Sequence, residues 1–319
     1  MEQAQVKNGD IHLNVIVNGS ADSPHPPILC VHGWPELAHS WRNQLAHFAQ
    51  AGHRIAAMDV RGYGESSKPH DIAAYAMAEL CADVAAVIDH LGGRAILFGH
   101  DWGAPIVWQT AIRHPERVVA VAGLSVPYTP LGDRFFLDLM DQIHPDRFFY
   151  QLYFQQEEIA EAEFAADPDA LLKIYWGLSG EGVAHAFTTP KTRADGFLTG
   201  MPKPDRLPDW LSADDLAFYN AAFANGGWRG PLNRYRAQRL DWEARAPVAG
   251  KRITQPAAFI AGALDPVRRF IPDHDTYANA AAHLDDHRGT TIIDGAGHWV
   301  QQEVPAAVNA ALEAFVRGL

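Results

Sequence analysis

Four short apolar runs, Ile28–Val31, Ile55–Met58, Ala95–Phe98 and Val118–Ala122, show no alternation of apolar with polar residues, and each is bounded by Gly, Pro or charge. A strand with one face in water alternates with period two, so unbroken runs of this length point to strands covered on both faces, as in a parallel sheet. Between the second and third runs, Met77, Leu80, Val84, Ile88 and Leu91 recur at spacings of three and four and stop at Gly92-Gly93, which predicts an amphipathic helix with a glycine terminus. Strand, helix and strand in that order make a βαβ unit. Upstream, Val6 to Asn18 alternates about Asn8-Gly9-Asp10, the signature of a hairpin at the edge of the sheet.

The pattern breaks off and then resumes. From about Pro130 to Arg245 the buried-strand runs vanish, aromatics crowd together (Phe148-Phe149-Tyr150, Tyr175-Trp176, Trp228, Trp242) and prolines cluster at Pro202, Pro204 and Pro208. Strand-like runs return at Ala257–Ala261 and Thr291–Ile293, followed by a helix after Pro305 that carries Val308, Leu312, Phe315, Val316 and Leu319 on one side. The expected architecture is therefore α/β: a mostly parallel central sheet flanked by helices, built from residues 1–129 and 246–319, with a helical segment of residues 130–245 inserted between its halves. A chain of 319 residues suits one large domain with such an insertion.

Composition excludes several classes of function. A net charge of −12, from 26 Lys+Arg against 38 Asp+Glu, disfavours phosphate backbones and anionic membrane surfaces. No apolar run approaches the roughly 20 residues of a membrane-spanning helix. Met1–Asp10 lacks the apolar stretch of a secretory signal, and the two cysteines, Cys30 and Cys81, lie in apolar surroundings that suit buried thiols. A cytoplasmic protein is the expectation. His283 and His287 stand at i, i+4 without an evident third ligand, and read as solvated surface rather than as a metal site.

Chemistry concentrates at Gly99-His100-Asp101-Trp102-Gly103, directly after the Ala95–Phe98 run and before a helical stretch through Val107, Trp108 and Ile112. This is the strand-turn-helix context of a nucleophile elbow, with Asp where the pattern G-x-S-x-G has Ser. An aspartate side chain, with a reference pKa of about 3.9, is already ionised at neutral pH and attacks without a base. It suits displacement at a saturated carbon, and leaves an ester whose hydrolysis does need a base. His298, in the loop after the last run, is the candidate base, and Asp265, ending Gly262-Ala263-Leu264-Asp265, is the candidate acid that orients it. Asp273, Asp275 and Asp294 compete for that role, but none follows a strand so directly with a histidine still to come in a later loop. Ester hydrolysis also needs oxyanion donors: the Trp34 amide, in the loop after Ile28–Val31, and the Trp102 amide are placed to serve. A cis bond at Trp34-Pro35 fits the sharp turn this loop must make.

These stretches, His32-Gly33-Trp34-Pro35-Glu36, Asp59 to Ser66, Gly99 to Ala104, Gly262 to Asp265 and Gly297-His298-Trp299, resemble the soluble epoxide hydrolase family of α/β-hydrolases over nearly the whole chain. The order Asp101, Asp265, His298 is that superfamily's order of nucleophile, acid and base. The resemblance carries over to two cap tyrosines that hydrogen-bond the epoxide oxygen: Tyr150, in Phe149-Tyr150-Gln151-Leu152-Tyr153-Phe154, and Tyr235, in Gly230-Pro231-Leu232-Asn233-Arg234-Tyr235-Arg236. Tyr153 is the nearest confusable residue. The implied activity is epoxide to vicinal diol, with no cofactor and no metal; the implied partners are a small apolar epoxide and water, with monomer and homodimer both open. Most of the motifs are shared with haloalkane and haloacid dehalogenases, in which indole or amide N–H groups hold a halide and for which Trp102 is a candidate. A fluoroacetate-type enzyme would carry an arginine after the nucleophile, where Trp102 stands. A non-catalytic small-ligand-binding protein on the same fold is the remaining alternative.

Overall fold

The computed structural model describes residues 1–186, 188, 190–271 and 273–319. Eight strands form one sheet: β1 Glu2–Asn8, β2 Ile11–Asn18, β3 Ile28–Val31, β4 Ile55–Met58, β5 Ala95–His100, β6 Val118–Leu124, β7 Ile253–Gly262 and β8 Leu284–Ile293, in the spatial order β1-β2-β4-β3-β5-β6-β7-β8. β1 and β2 form the edge hairpin, β2 runs antiparallel to β4, and all remaining neighbours are parallel. The helices α1 Arg42–Gln50, α2 Met77–Leu91 and α3 Gly103–Arg113 come from the first half. Between β6 and β7 the chain forms α4 Phe136–Ile143, α5 Tyr150–Tyr153, α6 Ile159–Ala166, α7 Ala170–Leu178, α8 Val183–Ala186, α9 Ala213–Gly226, α10 Arg229–Arg236 and α11 Gln238–Glu243. After β8 follow α12 Val300–Glu303 and α13 Pro305–Arg317.

Burial explains why the four apolar runs do not alternate. Ile28 and Cys30 of β3 and Ile96 and Phe98 of β5 pack on one face with Leu45 and Phe48 of α1 and Val308, Leu312 and Phe315 of α13. Leu29, Val31 and Leu97 pack on the other face with Leu80, Val84 and Ile88 of α2 and Val107 of α3. Cys30 and Cys81 are both buried free thiols. Leu319, expected on the apolar side of the last helix, lies past its end and is 45% exposed.

Four strands are longer than the apolar runs indicate, β5 and β6 by two residues at their carboxyl ends and β7 and β8 mainly at their amino ends. β7 begins at Ile253 and accommodates Pro256 at a shift of register, the usual place for a residue that cannot donate to a ladder. β8 begins at Leu284 and includes the polar stretch Asp285–Thr291; as an edge strand it needs no apolar cover, and its charges discourage pairing with another chain. His287 therefore lies on a strand, with Nε2 3.0 Å from Thr290 Oγ1, and His283 in the turn before it, its ring edge-on to Tyr128.

The strand order reverses at β3, with β4 on one side and β5 on the other, which opens a crevice at the carboxyl ends of the strands. Because Val31 pairs with Gly99, Leu124 with His100 and Ile260 with Leu124, the loops after β3, β5, β6 and β7 all emerge at one level.

Candidate active site

Asp101 sits at the turn between β5 and α3 with φ of +49°, a left-handed backbone that Asp tolerates better than most residues. Such a residue carries strain of order 1–3 kcal/mol and persists only where its surroundings leave no alternative. The flanking glycines supply that constraint. A Cβ on Gly99 would press into the Gly103 carbonyl, one on Gly103 into the Val31 carbonyl, and one on Gly33 into the Asp101 side chain. The elbow is thus clamped against the end of β3, and its carboxylate projects at the crevice.

The loop after β3 meets it there. The Trp34-Pro35 bond is cis, and the Trp34 N–H donates to Asp101 Oδ1 at 2.7 Å. Trp102 is the N-cap of α3, where backbone N–H groups lack intrahelical acceptors. His32 holds the loop: the Val60 N–H donates to its Nε2 at 3.0 Å, which leaves Nδ1 to donate to the Gly33 carbonyl at 2.8 Å. Burial lowers the His32 pKa, consistent with this neutral ring.

Beneath the elbow lies a buried ion pair. His100 Nδ1 is 2.6 Å from Glu36 Oε2 and its Nε2 is 2.7 Å from the His298 carbonyl, so both nitrogens face acceptors and both donate. The side-chain amides of Gln301 and Gln302 donate to Glu36 Oε1 at 2.9 and 3.0 Å. Burial opposes the Glu36 carboxylate, but His100 outweighs it and holds the pKa down at about 2. The pair ties the Trp34 loop to the His298 loop.

His298 stands between two carboxylates, with Nδ1 3.1 Å from Asp265 Oδ1 and Nε2 3.4 Å from Asp101 Oδ2. Burial disfavours its charged form, yet Asp265 and then Asp101 outweigh burial and hold its pKa well above the usual histidine range. The same attraction keeps Asp265 below the usual carboxylate range, although burial acts against it. Asp275, a competing acid by sequence, is engaged with Arg268 at 2.7 Å.

The two tyrosines arrive from the inserted segment, Tyr150 at the start of α5 and Tyr235 in α10, with ring centroids 5.8 Å apart edge-on. The Gln151 amide donates to Tyr150 Oη at 2.9 Å, which leaves the phenolic hydrogen free to donate elsewhere. Tyr153 spends its hydroxyl on Glu163, at 2.9 Å, and does not line the cavity. That cavity, about 930 Å³, is walled by Trp34, Asp101, Tyr150, Tyr235, Asp265 and His298 together with apolar side chains such as Phe148, Phe197, Met201 and Phe270. Trp176 and Trp228 are not among its walls, and the Trp102 indole packs edge-on to Tyr235 and beneath the Arg234 guanidinium.

Of the candidate site residues, Asp101, Asp265, His298, Tyr150, Tyr235 and Trp34 line the cavity, and Trp102 follows Asp101 at the elbow. Sequence reasoning passed over Ser125, whose hydroxyl lies 2.6 Å from Asp265 Oδ2, as well as the roles of Glu36, His100 and Gln151. The rule that located Asp265, a polar residue just past a parallel strand, applies equally to Ser125, which follows β6.

Comparison with known proteins places the chain in a family. A family model described as the alpha/beta hydrolase fold matches residues 26–305. The chain is 40% identical over 317 residues to epoxide hydrolase A of Mycobacterium tuberculosis strain H37Rv, covering 98% of this chain and 97% of that protein. It is 34% identical over 320 residues to an epoxide hydrolase of Caballeronia sordidicola, covering 99% and 94%. The crystal structure of epoxide hydrolase A from Mycobacterium thermoresistibile superposes with a TM-score of 0.91 at 40% identity, covering 100% of this chain and 98% of that one.

Proposed function

Since the chain belongs to the α/β-hydrolase fold family and, within it, to the epoxide hydrolases, we propose that it converts a small apolar epoxide to a vicinal diol through an ester on Asp101. The observation that carries this reading is one carboxylate on a left-handed elbow, 3.4 Å from His298 Nε2, lining the same cavity as Tyr150 and Tyr235.

In the first half-reaction Asp101 attacks an epoxide carbon, the C–O bond breaks, and the departing alkoxide takes hydrogen bonds and a proton from the two phenols. An alkoxide is far more basic than a phenolate, so a phenol is a competent acid at that point. Esterification removes the negative charge of Asp101, one of the two charges that hold His298 protonated, and the histidine pKa falls toward the range of a general base. The His298 proton, no longer held by a charged Asp101, passes to restore the phenol that protonated the alkoxide; the neutral His298, oriented by Asp265, then takes a proton from water, and the hydroxide attacks the ester carbonyl. The Trp34 and Trp102 amides donate to the tetrahedral oxyanion, collapse releases the diol, and Asp101 is regenerated. Residues 130–245 act as a cap over a core of residues 1–129 and 246–319, bringing the two phenols and excluding bulk water.

His298→Gln tests the sequence of steps, because it removes the base and leaves the nucleophile. Mass spectrometry of this variant after exposure to small epoxides and haloalkanes is expected to find a hydroxyalkyl adduct on the Asp101 peptide. An alkyl adduct from a haloalkane alone would assign the chain to dehalogenation, and no adduct from either class would refute the covalent reading.

A further inference from the structure

Ser125 follows β6 directly, is fully buried, and has φ of +69°. Glycine takes such a backbone without steric cost, whereas a serine pays for it, so a side chain at this position invites the question of what it supplies. Its backbone N–H donates to the Ile260 carbonyl at 3.0 Å, which fastens the turn to β7 beside the Asp265 loop. Its Oγ lies 2.6 Å from Asp265 Oδ2 and 3.0 Å from His298 Nδ1.

We propose that Ser125 is a positioning residue for the hydrolytic half-reaction, one that sets both the rotation of Asp265 and the tautomer of His298; the inference rests on the ester mechanism. The proton count leaves one consistent arrangement. Asp265 is acceptor-only as a carboxylate, so the Ser125 hydroxyl hydrogen goes to Oδ2, and the Ser125 oxygen is left as an acceptor. The other carboxylate oxygen, Oδ1, accepts the Val267 N–H at 2.9 Å and faces His298 Nδ1 at 3.1 Å. With both oxygens tied, the carboxylate cannot rotate. His298 Nδ1 then faces two acceptors, Asp265 Oδ1 and Ser125 Oγ, and carries a hydrogen shared between them. After Asp101 is esterified and the ring becomes neutral, the free lone pair is therefore on Nε2, the nitrogen that faces Asp101. Loss of the hydroxyl would remove the 2.6 Å donor to Oδ2 and leave only the buried Tyr277 hydroxyl, which has no partner of its own among the described residues, facing that carboxylate beside the Val267 N–H and His298.

The prediction separates the two half-reactions. Attack by Asp101 does not use His298 as a base, so a defect confined to Asp265 and His298 leaves alkylation intact and slows only hydrolysis. The test uses Ser125→Gly, which suits the positive φ, and Ser125→Cys, which keeps the volume with a weaker donor. Each is compared with the native protein by rapid-quench mass spectrometry on styrene oxide, or on another small epoxide that the native protein turns over.

Expected in Ser125→Gly is ester formation at the native rate and ester hydrolysis slowed about 10- to 100-fold, the range spanned by one lost hydrogen bond to a charged group, with a smaller defect in Ser125→Cys. The ester then accumulates at steady state, and kcat and KM fall together. Hydrolysis at the native rate in Ser125→Gly would overturn the proposal, and so would equal slowing of both steps in the two variants, the mark of a general structural defect. Failure of the ester mechanism reads differently: no adduct would form in His298→Gln, and this inference would fall with it.

Discussion

Removing one phenolic oxygen at a time offers the sharpest check on how the epoxide oxygen is handled. Tyr235 is 1% exposed and its ring is wedged among Phe154, Trp102, Tyr150 and Trp34, at centroid distances of 5.0, 5.3, 5.8 and 6.0 Å. Tyr235→Phe keeps that packing and deletes only the donor. In a water-poor site one donor to a developing oxyanion is worth roughly 3 to 4 kcal/mol, or about 10²- to 10³-fold in the step where the charge forms. That step is ester formation, so hydrolysis of the ester should proceed at the native rate. Tyr150→Phe should show the same kinetic defect with an added cost in stability, because it strips the acceptor from the Gln151 amide, whose oxygen already lacks a partner among the described residues. An amide buried without its acceptor costs about 1–3 kcal/mol. Single-turnover rapid-quench measurements report the two rates, and urea unfolding reports the stability difference. Burial, then the Asp101 carboxylate, pushes the Tyr150 pKa up, and burial with Tyr150 beside it does the same for Tyr235. Both phenols thus remain neutral donors above pH 10, and alkylation should show no alkaline loss on their account. If either single variant formed the ester at the native rate, or slowed hydrolysis instead, the assignment of these phenols to ring opening would be wrong.

Two further outcomes follow from the clamped elbow and the buried ion pair. Gly103→Ala drives a Cβ into the Val31 carbonyl and to 2.8 Å from the His32 carbonyl, backbone atoms that have no rotamer to relieve them. The expected loss is about 1–3 kcal/mol or more in urea unfolding, and an unchanged midpoint would mean that α3 slides away from β3 at no cost. Glu36, held near 2 against an unfolded-state value of about 4.3, contributes stability that is fully present above the unfolded value and is lost as pH falls from about 4.5 toward 2. The term is of order 3 kcal/mol at neutral pH, so the gap in urea midpoint between native protein and Glu36→Gln should narrow steadily from pH 5 to pH 3; a constant gap would show that the carboxylate charge is not the source.

Local sequence sufficed wherever one physical constraint dominated. Ile28–Val31 and Ile55–Met58 match β3 and β4 residue for residue, since a strand covered on both faces has to be apolar throughout. Met77–Leu91 ends at Gly92, as the glycine stop requires. The elbow was legible because a side chain projected from a tight turn needs residues without Cβ on either side. β8 was half legible: its polar stretch lies on an open edge, where burial imposes no pattern. Trp176 and Trp228, part of the aromatic crowding in the inserted segment, do not line the cavity and pack against His185 and against Phe164 and Phe223.

By itself, then, the sequence determined the strands, their order along the chain and the three loops that bear Asp101, Asp265 and His298, because each depends on local periodicity or on turn stereochemistry. Only the tertiary structure decided that the Ser125 hydroxyl touches Asp265 across 140 residues of chain. It likewise decided that Glu36 and His100 bridge the Trp34 and His298 loops, and that Gln151 frees the Tyr150 hydrogen. Those contacts depend on parallel register, which brings loops distant in sequence to one level at the carboxyl ends of the strands, and no local pattern encodes a register.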